Sequence, residues 1–118
     1  MRQRPKGKRE LKIVLPTLRE KDRYISFRVM SEEQIIYSDL EGALWNTLMD
    51  FFGELGTSLT SVWLIKNLYD EQEQAGVIRC NHESVQKILT ALGLIERLGD
   101  TRVIVKVLKV SGTIKGLK

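Results

Sequence analysis

Residues 76–98, GVIRCNHESVQKILTALGLIERL, constrain this chain's fold more than any other stretch. Val77 to Cys80 alternate around Arg79 and read as a short strand. Asn81 is placed to cap a helix start, its side-chain oxygen accepting from the first amides, and Glu83 puts a negative charge in the first turn. Val85, Ile88, Leu89, Leu92, Ile95 and Leu98 follow at three-to-four spacing, with Leu94 off the stripe and Gly99 as the expected stop. A strand that feeds directly into an amphipathic helix needs a sheet to pack on, and the rest of the chain must supply it.

It holds one domain's worth of elements, as 118 residues should. In 24–30, Ile25, Phe27 and Val29 point one way while Tyr24, Ser26, Arg28 and Met30 point the other. Ser38 and Glu41 fit a capping box for a helix running to about Leu55. Leu40, Ala43, Leu44, Leu48, Phe51, Phe52 and Leu55 form its buried stripe, widened by Trp45 and Met49. Gly53 weakens the last turn and Gly56 serves as its left-handed cap. A second strand spans 61–69, an acidic hairpin loop 70–75, and a last strand 102–110. In that last strand Val103, Val105 and Val107 face opposite to Arg102, Ile104, Lys106 and Leu108.

Strand, helix, strand, strand, helix, strand with right-handed crossovers gives an α+β sandwich of ferredoxin-like, RNA-recognition-like βαββαβ type. The expected sheet has four antiparallel strands, in the order last, first, third, second, with both helices on one face. Residues 1–14 are expected to be a flexible basic arm, and 15–118 the domain, with a basic tail at 111–118.

Charge is concentrated at the ends. Residues 1–12 carry Arg2, Arg4, Lys6, Lys8, Arg9 and Lys12 against Glu10, and 102–118 carry Arg102, Lys106, Lys109, Lys115 and Lys118 with no acid. Each end is therefore +5, and the intervening residues −6, within a net +4. Such ends suit a polyanion, nucleic acid above all. Arg28, Arg79 and Lys106 are expected on the open face of the sheet beside Met30, Ile104 and Leu108. Residues 76–81 lack the aromatics of the usual third-strand RNA-binding motif, so the domain is not an ordinary RNA-recognition module; Tyr24 is one possible stacking residue, although a single tyrosine at a strand start is more often a packing residue.

Catalytic and metal chemistry find little support. His82 is the only histidine and Cys80 the only cysteine, so neither a nucleophile–base set nor a three- or four-ligand zinc site is indicated. Cys80 reads as a small core residue with no disulfide partner in the chain. The loop 111–116 lacks phosphate-loop spacing. No apolar run reaches membrane-spanning length and no signal-peptide pattern opens the chain, so a cytoplasmic protein without a membrane partner is expected.

Five segments taken together carry a resemblance: LPTLREKDRYISFRV at 15–29, SDLEGALWNTLMDFFGELG at 38–56, VWLIKN at 62–67, GVIRCNH at 76–82 and RVIVKVLKVSGTIKGLK at 102–118. In order and spacing they resemble the archaeal ribonuclease P protein component 2 family, which has a eukaryal counterpart. The resemblance implies a subunit of an RNA enzyme that removes 5′ leaders from precursor tRNA, with the RNA and its Mg²⁺ as catalyst and none of this chain's residues catalytic or metal-binding. It implies the ribonuclease P RNA as a partner, with precursor tRNA in the holoenzyme. It also implies a TIM-barrel subunit, protein component 3, in a two-plus-two assembly. The candidate RNA-binding residues are Arg2, Arg4, Lys6, Lys8, Arg9, Lys12, Arg28, Arg79, Lys106, Lys109, Lys115 and Lys118. The alternative from another class is a ferredoxin-like regulatory domain that binds a small molecule at a dimer interface. The basic ends, and the lack of a glycine-rich loop after the first strand, argue against it.

Overall fold

The computed structural model describes residues 21–118. The arm at 1–14, with Arg2, Arg4, Lys6, Lys8, Arg9 and Lys12, lies outside the described residues.

Strand β1 (Asp22–Ser31) shows the expected alternation, with Ile25, Phe27 and Val29 buried and Arg28 and Met30 exposed on the opposite side. Helix α1 (Tyr37–Ser58) begins one residue before the anticipated cap, and no side chain caps it locally. The Ser38–Glu41 capping box does not form. The Tyr37 amide instead donates to the Glu71 carboxylate at 3.3 Å, so the acidic loop 70–75 closes the helix start from across the fold. A carboxylate at that position also suits the helix dipole. The Tyr37 hydroxyl lies 2.8 Å from the Leu64 carbonyl and 3.1 Å from the Glu41 carboxylate, and its proton is shared between these two acceptors.

Leu40, Leu44 and Leu48 fill the core side of α1, each burial stabilising by roughly 1.5–3 kcal/mol. The stripe does not continue as the 3.6-residue repeat draws it. Gly53 adopts φ 72° and ψ 178° and breaks the helix, a conformation essentially reserved for glycine. Gly53 rather than Gly56 is therefore the left-handed residue. The break redirects the turn that follows it, and Leu55 (73% exposed) lies on the surface; before the break, Trp45, Met49 and Phe51 (62%) are also exposed, on the side of α1 away from Leu40, Leu44 and Leu48.

The expected second strand is cut short. Only Trp63–Leu64 forms strand β2, and a 3₁₀ turn at Lys66–Leu68 follows. That turn carries Tyr69 inward, where its hydroxyl donates to the Ile35 carbonyl at 2.8 Å and its ring meets Tyr37 edge-on at 6.2 Å. Strand β3 (Ala75–Asn81) matches expectation, with Ile78 and Cys80 buried and Arg79 exposed. Gly76 sits opposite Phe27, and a Cβ there would lie 3.0 Å from both the Phe27 and Tyr69 rings, so the missing side chain makes room for two aromatics. The turn before β3 is held by the Gln74 side-chain amide. Its Nε2 donates to the Val29 carbonyl (2.8 Å) and Ser31 hydroxyl (3.0 Å), and its Oε1 accepts from the Ile35 amide (2.7 Å).

Asn81 does not cap the second helix. It is nearly buried and donates through Nδ2 to the Leu59 carbonyl at 2.6 Å, tying the end of β3 to the turn after α1. A 3₁₀ turn (His82–Ser84) containing Glu83 precedes helix α2 (Val85–Leu94). The second helix is shorter than its apolar stripe. Ile95 and Leu98 are buried as expected but lie beyond it, and Arg97–Leu98 forms strand β4. Gly99 is thus not a helix stop. With φ 64° it takes the first central position of the two-residue Gly99–Asp100 loop joining β4 to strand β5 (Thr101–Ser111).

The sheet is antiparallel with order β2-β3-β1-β5-β4. The anticipated central order holds, but there are five strands rather than four, because the β4 hairpin adds an edge beside β5. Both helices cover one face, and Ile25, Phe27, Ile78, Ile88, Leu44 and Leu92 meet in one core between the layers. The opposite face is left without a helical layer.

Candidate nucleic-acid interface

Strand register decides which side chains share the open face. Trp63 pairs with Arg79, Arg79 with Tyr24, and Tyr24 with Ser111, so these four form one row across β2, β3, β1 and β5. The next row is Val77, Ser26 and Lys109, and the one after it Ala75, Arg28 and Lys106. Met30 pairs with Ile104 at the far end.

Simple alternation would not place Lys106 and Lys109 on one face, because they are three residues apart. A β-bulge does so. Register shifts between Ser26 and Phe27, which pair with Lys109 and Val107, leaving Leu108 as the extra, exposed residue. The Ser26 hydroxyl donates to the Lys109 carbonyl at 3.4 Å beside the bulge.

The cations differ in their freedom. Arg28 lies on the face as anticipated, but its Nη2 is 2.6 Å from the Glu73 carboxylate and its Nε donates to the Glu73 carbonyl at 3.3 Å. Among the described residues, no ion pair or side-chain hydrogen bond engages Arg79 or the ammonium groups of Lys106 and Lys109. These three supply positive charge to the face. Lys115 and Lys118 stand apart in and just after the C-terminal 3₁₀ turn (Lys115–Leu117), which folds back against Ser111 at one margin of the sheet and contacts β5 and β1. The tail therefore packs at the end of the sheet where Tyr24, half-buried, pairs with Ser111.

Trp63 was missed as a candidate by sequence reasoning. The signal was there: Val62 and Leu64 are both apolar, and a chain that buries both must turn Trp63 outward.

The remaining reactive groups are placed for structure. Cys80 is fully buried, and burial first, then the Asp22 charge, pushes its thiol from an ordinary 9.0 up to about 11. Burial likewise raises the Tyr37 and Tyr69 hydroxyls, reinforced by Glu41 for Tyr37 and by Glu71 and Asp70 for Tyr69. His82 sits at the surface with its Nε2 4.0 Å from Glu83. Among the described residues, no three His, Cys, Asp or Glu side chains gather as a metal site, and no helix is long and apolar enough to cross a membrane.

Comparison with known proteins matches this sheet and its helices to one family model, Rpp14/Pop5, over residues 23–118. The chain belongs to the Rpp14/Pop5 family. Ribonuclease P protein component 2 of Pyrococcus furiosus is 45% identical over 107 residues, covering 91% of this chain and 88% of that protein. The Thermococcus kodakarensis protein of the same name is 36% identical over 118 residues, covering 100% of this chain and 92% of its own length. A chain in the cryo-EM structure of yeast ribonuclease MRP shares the fold, with a TM-score of 0.61 at 17% identity, covering 80% of this chain and 76% of that one. Apart from Asp22 at the start of β1, the Rpp14/Pop5 match takes in every described strand and helix, and with them the rows of the open face from Tyr24 onward.

Proposed function

We propose that this chain is a protein subunit of ribonuclease P, which supports a catalytic RNA in removing 5′ leaders from precursor tRNA. The observation that carries the reading is the family match across 23–118, joined to relatives named as ribonuclease P protein component 2. The open face, where Arg79, Lys106 and Lys109 have no ion-pair partner among the described residues, supplies a surface suited to RNA phosphates. Mg²⁺ belongs to the RNA in this reading, and the chain contributes binding and placement. The second partner is a TIM-barrel protein subunit in a two-plus-two assembly. The exposed apolar residues of α1, among them Trp45, Met49, Phe51 and Leu55, offer it a surface distinct from the cationic face. The setting is cytoplasmic.

Reconstitution tests this. Ribonuclease P RNA, the other protein subunits and Mg²⁺ should cleave precursor tRNA faster with the chain than without it. The chain alone should not cleave, and His82→Ala should leave reconstituted cleavage nearly unchanged. Cleavage indifferent to the chain's presence, or RNA-free cleavage that His82→Ala abolishes, would overturn the reading.

A further inference from the structure

We propose that the row Trp63–Arg79–Tyr24 is a stacking platform for an unpaired stretch of RNA, a role that rests on the RNA-subunit reading and specifies its ligand. Trp63 is 60% exposed on a two-residue edge strand, where an indole is not needed for the core that Leu64 already fills. Its neighbour in register is Arg79, and the next is Tyr24. Strands lie about 4.8 Å apart, so the two aromatic residues stand roughly 10 Å apart with a guanidinium between them. Base faces stack on aromatic rings whatever their sequence, while cations between the rings hold the phosphates.

The direction of the strand follows from the next row. Lys109, brought round by the bulge at Leu108, lies diagonally beyond Tyr24, and Lys106 lies one row further. A single strand crossing from β2 to β5 therefore meets an indole, a guanidinium, a phenol and an ammonium in turn. The acids on this face sit at its margins: Asp22 opposite Asn81 at one end, and Glu73 held by Arg28 at the other. A duplex is a poor occupant, because its base faces are already stacked on each other. A protein occupant also uses tryptophan, tyrosine and arginine, but lysines are depleted in protein interfaces, and here two lysines without an ion-pair partner among the described residues complete the surface.

The test uses the full chain and a fluorescently labelled oligouridine with no secondary structure, with binding read by anisotropy. Trp63→Ala should weaken binding about 5- to 140-fold, the range for losing one stacked base. Trp63→Phe should retain most of the affinity. Trp63→Lys is decisive: a purely electrostatic surface would bind more tightly with the added cation, whereas a stacking platform loses affinity. The slope of log affinity against log salt should be unchanged in Trp63→Ala, because no phosphate partner is removed. Unchanged thermal unfolding of the variants confirms that the exposed side chain is not structural. Equal affinity in Trp63→Ala, or a gain in Trp63→Lys, overturns the proposal. A parent chain that binds structured RNA but not oligouridine overturns the platform and leaves the subunit reading standing, while a chain that binds neither overturns both. Failure of Trp63→Ala to bind the protein subunit, with oligouridine affinity intact, would assign the face to protein instead.

Discussion

Replacing Gly53 by alanine tests the break in α1, because sequence and structure predict opposite signs. Read as an ordinary helical glycine, position 53 should gain about 0.8–1.0 kcal/mol on becoming alanine, the difference in helix propensity. In the structure Gly53 has φ 72° and ψ 178°, and an added Cβ would meet nothing within 4 Å. The penalty is therefore one of backbone conformation alone. Holding a side-chain-bearing residue in such a region costs of order 1–3 kcal/mol. At about 2.1 cal/mol/K per residue, the unfolding entropy of a chain this size is about 0.2 kcal/mol/K, so each kcal/mol moves Tm by roughly 4–5 °C. Gly53→Ala should then lower Tm by about 4–15 °C in a thermal melt followed by circular dichroism. Gly42→Ala is the control: it lies in α1 without a positive φ, and its Cβ also meets nothing within 4 Å. That substitution should raise stability by about 0.5–1 kcal/mol. If Gly53→Ala stabilised the protein as Gly42→Ala does, the helix would run unbroken and the exposure of Leu55 would need another cause.

Three further outcomes are expected. The Cys80 thiol, raised to about 11, should resist alkylation at pH 8 in the folded chain and react once urea unfolds it. Because the folded value lies above the unfolded one near 9, its contribution to stability is complete below about pH 9 and disappears as pH rises through 11. Urea midpoints of the parent should accordingly fall over that window more than those of Cys80→Ala, and parallel profiles would contradict the assignment. Gln74→Ala leaves the Ile35 amide without its 2.7 Å acceptor and should cost about 1–3 kcal/mol in urea unfolding. Gln74→Gly, which relaxes the φ of 54°, should be milder than Gln74→Ala, and equal losses would mean the backbone there is unstrained. Lys106→Ala with Lys109→Ala should weaken RNA binding and make its salt slope shallower by about 0.7–0.9 for each phosphate no longer neutralised, as should deletion of residues 1–12 with its six cations. Parallel slopes in both variants would show those cations to be solvated rather than bound to RNA.

The sequence by itself determined the sandwich. Two-residue alternation in 24–30 and 103–107 identifies strands with one buried face, and the stripes Leu40–Leu44–Leu48 and Val85–Ile88–Leu92 identify the helices over it. These signals are legible because each side chain's burial follows from the period of its own element. The cationic face was legible for the same reason: Arg28 and Arg79 stand out against Phe27 and Ile78, whatever lies further away.

Only the tertiary structure decided where the elements end and which residues change sides. Ile95 and Leu98 bury their side chains equally well in a helix turn or in an extended segment. The second outcome follows once the Val103 amide donates to the Glu96 carbonyl at 2.9 Å, and β5 claims the chain as a hairpin partner. Ser38 and Glu41 had the residues of a capping box, but Glu71, distant in sequence, occupies the helix start instead. The bulge at Leu108 is a mismatch between two strands and belongs to neither one alone. It brings Lys109 onto the open face, so a local period could suggest a basic surface but could not state its full membership. Burial is written into local patterns, whereas caps, edges and registers depend on which distant backbone group arrives to satisfy a donor or acceptor.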